Sequence, residues 1–259
     1  MSVKIDQSGR VVLVTGGTRG IGRGIAEAFL AAGASVWVCG RKEPEDLPTR
    51  DGQSARFISC NVRDPEDVDK MITQIVSESG RLDVLVNNAG GAPNADAATV
   101  SPRFTASIID LNLTAAIHCA QRANAQMQQQ ETGGEIVNIA SVSGKRPSPG
   151  TAAYGAAKAG LLNITRSLAV EWAPKVRLNC VTAGLIETEL SEMHYGDTEG
   201  LAQVAATVPL GRMGKPEDIA NACLFLSSPL SSYMSGAEIT LDGGGEKPAF
   251  LDAANAQKS

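Results

Sequence analysis

Short apolar runs alternate with helix-length segments along most of this chain, and this alternation limits the possible fold more than any other feature. The runs have the length and the apolar or β-branched composition of buried strands. They are Val11–Thr15, Val36–Cys39, Arg56–Cys60, Val84–Asn87, Glu135–Ala140, Val176–Val181 and Ala237–Leu241. Strands that alternate with helices of ten or more residues form parallel sheets with helices on both faces. The sequence therefore predicts an α/β fold with a doubly wound parallel sheet of about seven strands, whose ligands bind at the carboxyl ends of the strands.

The intervening helices are indicated by helix-forming composition and by capping residues. Asp64 followed by Pro65 is typical of a helix start, and Gly33 of a helix end. The predicted helices are Ile21–Ala32, one beginning near Pro65, 102–128, 151–172 and one beginning at Pro216. We find no linker, repeat or low-complexity tract, so residues 1–259 are expected to form a single Rossmann-type domain. Its lid is expected at about 187–209 and its C-terminal tail at 246–259.

The bulk composition excludes several classes of function. The formal net charge is −5, which argues against nucleic acid as a partner, because phosphates call for a basic face. No run approaches the roughly 18 apolar residues of a membrane span. The N-terminal stretch Met1–Asp6 lacks the apolar segment of a signal peptide, so a cytoplasmic protein is expected.

Metal chemistry is not expected either. The cysteines are scattered, and we interpret them as buried thiols that act as small hydrophobic side chains. They are Cys39, Cys60, Cys119, Cys180 and Cys223. The only histidines are His118 and His194, which cannot supply a cluster of the usual zinc ligands.

A glycine-rich turn, Thr15–Gly22, joins the first predicted strand to the first helix. Glycines allow a backbone to approach a pyrophosphate closely, and the N-terminus of the next helix offers free amides and the positive end of a dipole. The alternative is a simple tight turn, and the spacing departs from the Gly-x-Gly-x-x-Gly fingerprint. The strand and helix that flank the turn favour a dinucleotide site.

Tyr154 and Lys158 lie four residues apart on a predicted helix, so their side chains share one face. A tyrosine ordinarily titrates near about 10, and a nearby cation favours its phenolate. Ser141, at the end of the strand before this helix, can donate a hydrogen bond to a substrate oxygen. A Tyr-x-x-x-Lys pair alone also fits an exposed helical face. Its combination with Ser141 and the glycine-rich turn favours an acid/base site.

With these motifs the chain resembles the short-chain dehydrogenase/reductases from about Gly9 to Gly245. The matched residues are Thr15–Gly22, Asn87-Asn88-Ala89-Gly90, Asn112, Ser141, Tyr154 and Lys158. The resemblance implies that Tyr154 exchanges the proton of the carbonyl or hydroxyl oxygen, that Ser141 orients that oxygen, and that Lys158 holds the nicotinamide ribose and lowers the pKa of Tyr154. It also implies that Asn112 supports a water-linked proton relay to Lys158.

The same resemblance implies a nicotinamide cofactor. The residues expected to bind it are Gly16, Thr18, Arg19, Gly20, Ile21, Gly22, Arg41, Asn61, Val62, Asn88, Ala89, Gly90, Tyr154, Lys158, Gly184, Ile186 and Thr188. Two positions depart from the family pattern. Ala183-Gly184 replaces the Pro-Gly that is usual in the family, which predicts a more flexible entry to the lid. Asn61-Val62 replaces the frequent Asp-Val pair that contacts the adenine of the cofactor, so this change is expected to affect cofactor affinity.

The second predicted strand ends without a carboxylate that could bind the ribose 2′-hydroxyl of NAD. It is followed instead by Arg41 and Lys42, and Arg19 of the glycine-rich turn can reach the same region. Arginine pairs bidentately with phosphate, which favours NADP over NAD. The alternative is that these cations are solvated loop charges.

The predicted reaction interconverts a ketone and a secondary alcohol on a small molecule. Within the family, the overall sequence of this chain most resembles the 3-oxoacyl thioester reductases. The glutamine-rich stretch Ala125–Gly134 has no Lys or Arg to dock an acyl carrier protein, so we favour a small-molecule or coenzyme A-linked substrate. A steroid-like or cyclic alcohol is the alternative. The lid is acidic, and 91–102 is expected to form a further pocket wall.

Three other functions are also considered, followed by the oligomeric state. A cofactor-binding sensor or scaffold without catalysis is disfavoured by the intact catalytic positions. Epimerisation or dehydration is disfavoured by the short segment after Gly245, and nucleic-acid binding by the negative charge. The family resemblance implies a homotetramer built through the helices at 102–128 and 151–172 and the last strand.

Overall fold

The computed structural model describes residues 5–253. Its strands are β1 (Val11–Thr15), β2 (Ser35–Gly40), β3 (Thr49–Arg50), β4 (Gln53–Ser54), β5 (Arg56–Ser59), β6 (Val84–Asn87), β7 (Gly134–Ser141), β8 (Val176–Ala183) and β9 (Glu238–Leu241). Seven of them form one sheet in the order β5-β2-β1-β6-β7-β8-β9, and every pairing in it is parallel. The predicted α/β fold with a doubly wound parallel sheet is confirmed.

The helices connect these strands and cover both faces of the sheet. They are α1 (Gly20–Ala31), α2 (Pro65–Ser79), α3 (Pro102–Ile109), α4 (Ala115–Met127), α5 (Ala152–Trp172), α6 (Ser191–Tyr195), α7 (Thr198–Thr207), α8 (Pro216–Leu226) and α9 (Phe250–Ala253). A π-helical turn, Asp110–Thr114, joins α3 to α4. A 3₁₀ turn, Val142–Gly144, follows β7.

Two hydrophobic cores lie on opposite faces of the sheet because successive side chains of a strand point to opposite sides. Val11 and Leu13 of β1 pack in the core that also contains the buried faces of α2 and α4. Val12 and Val14 pack in the other core, with α1 and α8. All five cysteines are buried, as predicted. None of the helices within the described residues is long and apolar enough to cross a membrane.

The parallel register brings the carboxyl ends of the central strands to one edge of the sheet. Ser141 at the end of β7 lies opposite Ala183 of β8, and Asn87 at the end of β6 lies opposite Asn138 of β7. Thr15 ends β1 at the same edge. The glycine-rich turn, the loop after β6 and the segment after β7 are therefore neighbours.

Candidate active site

The glycine-rich turn places the backbone amides at the N-terminus of α1 where they can bind an anion. Gly16 and Gly20 adopt φ values of +62° and +53°, which side chains rarely tolerate. A Cβ on Gly22 would lie 2.3 Å from the Gly16 carbonyl oxygen, so the turn can close only with glycine there. Arg19 precedes α1 without a side-chain capping hydrogen bond, and the first turn holds no acidic residue. The helix start therefore offers backbone amides and a positive dipole end.

The loop after β6 is tied directly to this turn. Asn88 Nδ2 donates to the Thr15 carbonyl at 3.0 Å and to the Gly16 carbonyl at 3.2 Å. The Thr15 hydroxyl oxygen accepts from the backbone N–H groups of Asn88 and Ala89, both at 3.0 Å. These contacts hold Asn88, Ala89 and Gly90 beside the start of α1, where the family resemblance expects them.

Asn112 lies in the π-helical turn and is 1% exposed. Its Nδ2 donates to the carbonyls of Ile108 and Gly91 at 2.9 and 3.0 Å, and its Oδ1 accepts from the Gly91 N–H at 2.7 Å. Isolated π turns occur frequently at functional sites. A Cβ on Gly90 would lie 2.6 Å from Asn112 Oδ1 and 3.4 Å from Lys158 Nζ. Asn112 thus fixes the loop that packs against Lys158.

Lys158 is almost fully buried on α5, with 4% of its surface exposed. Its Nζ donates to the Ile139 carbonyl of β7 at 2.8 Å. Burial lowers the pKa of Lys158 to about 8. The ammonium lies 5.6 Å from the centre of the Tyr154 ring, so the predicted pair does share one face of the helix.

Tyr154 is partly buried beside Ser141 and the lid. Burial raises the pKa of the Tyr154 phenol, a side-chain interaction with Ser141 lowers it, and Tyr195 raises it further. The net direction is upward, because desolvation of the phenolate is the largest effect. The phenol is therefore neutral at neutral pH. Ser141 Oγ accepts from the Ser143 N–H at 3.2 Å.

The segment after β8 is anchored on the far side of the site. Gly184 N–H donates to the Leu241 carbonyl at 2.9 Å, and a Cβ on Gly184 would lie 2.6 Å from Asp242 Cα. Ile186 pairs with Gly214 through an isolated bridge. The Thr188 N–H donates to Ser191 Oγ at 2.8 Å. Ala183, where the family usually has Pro, completes β8 and is buried.

A second group of predicted residues lies where β1 and β2 end. The Gly16 N–H donates to the Cys39 carbonyl at 3.0 Å, and the Thr18 methyl is 3.9 Å from the position of a Cβ on Gly40. Arg19 and Arg41 are both exposed. After β5, Asn61 Oδ1 accepts a long hydrogen bond from the Arg63 N–H at 3.4 Å, and Val62 is buried. Ile21 packs on the core beneath α1.

Three residues that were not among the predicted site residues also lie near this site. The Gly20 N–H, at the start of α1, donates to Glu189 Oε1 of the lid at 2.9 Å. Tyr195 of α6 lies close enough to Tyr154 to raise its pKa. Arg146, in the loop after β7, contacts Glu246 beyond β9. Glu189 and Arg146 contact residues far away in sequence, which no local pattern reveals.

The described residues contain no group of three or more His, Cys, Asp or Glu side chains that could hold a metal ion. The site combines a helix N-terminus, a phenol, an ammonium and a hydroxyl at the carboxyl edge of a parallel sheet. This combination suits a bound dinucleotide and proton exchange with a substrate oxygen.

Comparison with known proteins defines the class. A family model described as enoyl-(acyl carrier protein) reductase matches residues 16–246. The chain is 36% identical over 243 residues to 3-oxoacyl-(acyl-carrier-protein) reductase FabG of Chlamydia muridarum, covering 91% of this chain and 96% of the relative. It is also 36% identical over 244 residues to the 3alpha-hydroxysteroid dehydrogenase of Mediterraneibacter gnavus, covering 90% of this chain and 96% of that protein.

Among solved structures, a short-chain type dehydrogenase/reductase from Mycobacterium marinum superposes with a TM-score of 0.85 at 35% identity, covering 95% of this chain and 98% of the other. The chain belongs to the short-chain dehydrogenase/reductase family. It is an oxidoreductase of a family that uses NAD(P) and acts on small molecules.

Proposed function

We propose that this protein is an NADP(H)-dependent oxidoreductase that interconverts a ketone and a secondary alcohol, with Tyr154 as the acid/base. The observation that carries the proposal is the assembly of Tyr154, Lys158 and Ser141 beside the N-terminus of α1. The glycine cradle at Gly16 and Gly22, which any Cβ would fill, fits the close approach of a pyrophosphate. When bound, the nicotinamide supplies or accepts the hydride.

The protein's own groups then bind and orient the substrate oxygen and exchange its proton. Tyr154, neutral at neutral pH, donates its proton to a carbonyl oxygen during reduction. Ser141 donates a hydrogen bond to the same oxygen, which polarises the carbonyl. Lys158 supplies positive charge beneath the phenol, so that it stabilises the phenolate left after proton transfer. Asn112 holds the loop at Gly90 and Gly91 against Lys158.

A preference for NADP over NAD is supported by the end of β2. No carboxylate stands there to bind the ribose 2′-hydroxyl or to repel a 2′-phosphate. Arg41 follows Gly40, which lies beside Thr18 of the glycine-rich turn, and Arg19 belongs to the same turn. Both guanidinium groups are exposed and can pair with a phosphate.

Cofactor oxidation followed at 340 nm across a carbonyl panel tests this proposal. The panel contains acetoacetyl thioesters, cyclic ketones, steroid ketones and α-dicarbonyls, each assayed with NADPH and with NADH. We expect turnover that prefers NADPH, and we expect Arg41→Glu to reduce that preference by about 10–100-fold through a charged hydrogen bond lost and a repulsion gained. Arg50→Glu, the same charge reversal on the exposed hairpin formed by β3 and β4, should leave it unchanged. NADPH binding without turnover on any carbonyl would favour the non-catalytic sensor or scaffold.

Glu189 provides a second prediction about the cofactor site. Its carboxylate accepts the hydrogen bond that the Gly20 N–H would otherwise offer to a phosphate. Glu189→Gln removes a negative charge that competes with the cofactor at the helix N-terminus, so we expect NADPH to bind about three- to tenfold more tightly. Fluorescence titration measures this affinity. Glu192→Gln, which neutralises an exposed carboxylate on α6, is the matched control. Unchanged or weaker binding in Glu189→Gln would contradict the prediction.

The remaining features of the proposal concern the whole chain. We propose one catalytic and cofactor-binding domain, assembled as a homotetramer through the helices α3 to α5 and the last strand. We also propose that the protein acts in the cytoplasm. The similarity to FabG raises a 3-oxoacyl thioester as an alternative substrate, and the thioesters of the panel cover it. The absence of Lys and Arg from 125–134 supports a free or coenzyme A-linked substrate over a carrier protein.

A further inference from the structure

The loop between β7 and α5 carries two adjacent cations that differ in what they contact. Lys145 Nζ pairs with Glu238 Oε1 of β9 at 3.0 Å. Arg146 Nη2 instead contacts the Glu246 carboxylate, which follows β9, at 2.5 Å, and its Nη1 donates to the Pro147 carbonyl at 3.0 Å. Lys145 therefore ties the loop to the sheet, whereas Arg146 is paired with a carboxylate on the last segment of the described chain.

Arg146 retains the capacity to bind another anion. Its Nε is buried and has no hydrogen-bond partner among residues 5–253. A guanidinium presents its donors in a fork that matches both oxygens of a carboxylate. The Glu246 side chain is 48% exposed, and exposed ion pairs are weak. A carboxylate from outside the chain can therefore replace Glu246 on Arg146 at little cost.

Arg146 also lines a cavity of about 450 Å³ at the start of α5. The apolar part of the cavity wall consists of Pro147, Pro149, Ala152 and Ala156. The wall also includes Ser143, which donates to the Ser141 hydroxyl, and Gly155, which follows Tyr154. This open cavity is thus mostly apolar and includes one cation, and two of its lining residues, Ser143 and Gly155, lie close in sequence to Ser141 and Tyr154.

The lid residue Tyr195 links Arg146 to Tyr154. Burial raises the pKa of Tyr195, and the positive charge of Arg146 acts against this rise. Tyr195 in turn raises the pKa of Tyr154.

We propose that Arg146 is a specificity-determining residue that binds the carboxylate of an oxo acid, whose apolar body packs in the adjoining cavity. The Glu246 carboxylate pairs with the Arg146 guanidinium when no substrate is bound, and the substrate carboxylate replaces Glu246 in that pair. This inference rests on the proposed function and names the substrate class of that same site.

Matched pairs of substrates test the inference. Each pair consists of an aliphatic oxo acid and its methyl ester, reduced with NADPH by the full-length protein. We expect the wild type to prefer the acid by about two- to fivefold in kcat/KM, the range of an exposed ion pair. Arg146→Gln should remove that preference by lowering kcat/KM for the acid about two- to fivefold, through KM, and leave the value for the ester unchanged. Glu246→Gln should raise kcat/KM for the acid, because it removes the internal competitor.

Lys145→Gln is the control for loss of a neighbouring positive charge and should leave the ratio of acid to ester unchanged. Thermal unfolding and NADPH affinity of Arg146→Gln check that the variant is folded. A wild type that reduces esters as well as or better than acids would overturn the inference, as would an equal loss on both substrates in Arg146→Gln. In those cases the proposed oxidoreductase function stands. Failure of every carbonyl with NADPH would instead overturn that function.

Discussion

Tyr154→Phe is expected to slow carbonyl reduction by about 10²–10⁴-fold, the usual contribution of a positioned general acid. The substitution removes only the hydroxyl oxygen. The ring, which lies 5.6 Å from Lys158 Nζ, is kept, and so is the packing of α5. NADPH affinity should therefore stay within about threefold of the wild type, since the loss is confined to an interaction made in the transition state. Steady-state NADPH oxidation and a separate fluorescence titration measure the two quantities.

Tyr195→Phe is the matched control for this variant. It removes the second phenol of the site, which influences Tyr154 electrostatically but has no assigned proton to transfer. We expect it to retain turnover within about tenfold of the wild type, far above Tyr154→Phe. Equal losses in the two variants, or full activity in Tyr154→Phe, would remove Tyr154 from its proposed role as acid/base.

The central strands of the main sheet could be predicted from the sequence because they are short runs of mostly buried apolar residues, and the edge strands β5 and β9 because apolar or β-branched residues remain in them. The predicted and observed bounds of β1 and β6 coincide, and those of β8 differ only because the strand continues through Thr182 to Ala183. The long helix predicted over 102–128 is helical over nearly that length. The π turn at Asp110–Thr114 was not predicted, because one inserted residue barely alters an apolar helical pattern.

The elements that sequence patterns missed have little or no buried surface. β3 and β4 are two residues each and exposed. Helix α7 in the lid has no fully buried residue, and its apolar positions Leu201, Val204 and Ala205 are only half-buried. Hydrophobic periodicity reports burial, so an element that buries little gives only a weak signal.

In the candidate site, some features also follow from local sequence patterns, whereas others depend on the complete fold. Tyr154 and Lys158 are neighbours by helical spacing, and Ser141 lies at a strand end, so their proximity follows from local patterns. The contact between Gly20 and Glu189 joins a turn to the lid, and its formation depends on the complete fold. The direction of the pKa of Tyr154 also depends on the fold, because it is set mainly by burial.

Lys158→Met is expected to abolish most turnover and at the same time to stabilise the cofactor-free protein. Burial lowers the pKa of Lys158 from its ordinary value of 10.5 to about 8, which means that folding penalises the charged ammonium. This lowering corresponds to roughly 3 kcal/mol at neutral pH. Methionine removes the charge but leaves the buried Ile139 carbonyl without its donor, at a cost of about 1 kcal/mol. The free energy of unfolding at pH 7 should therefore rise by about 2 kcal/mol.

The pH dependence distinguishes this cause from a simple packing effect. Below about pH 8 both the folded and the unfolded chain carry the proton on Lys158, so the wild type bears the full burial penalty. Between about pH 8 and 10.5 the unfolded chain holds more protons on Lys158 than the folded chain does. The contribution of Lys158 to the stability of the wild type therefore increases with pH in this range. We expect the advantage of Lys158→Met to shrink steadily through that window. Urea denaturation of both proteins at pH 7, 8, 9 and 10 measures it.

Lys70→Met serves as the control, because Lys70 is 73% exposed on its side chain and pays no burial penalty. Its stability relative to the wild type should not vary over the same pH range. A Lys158→Met protein that is less stable than the wild type at pH 7, or whose advantage does not change between pH 7 and 10, would show that the buried ammonium is not a source of instability. The expected outcome is instead a protein that gains stability by losing the charge that the proposed chemistry requires, since proposed functional sites commonly lower stability.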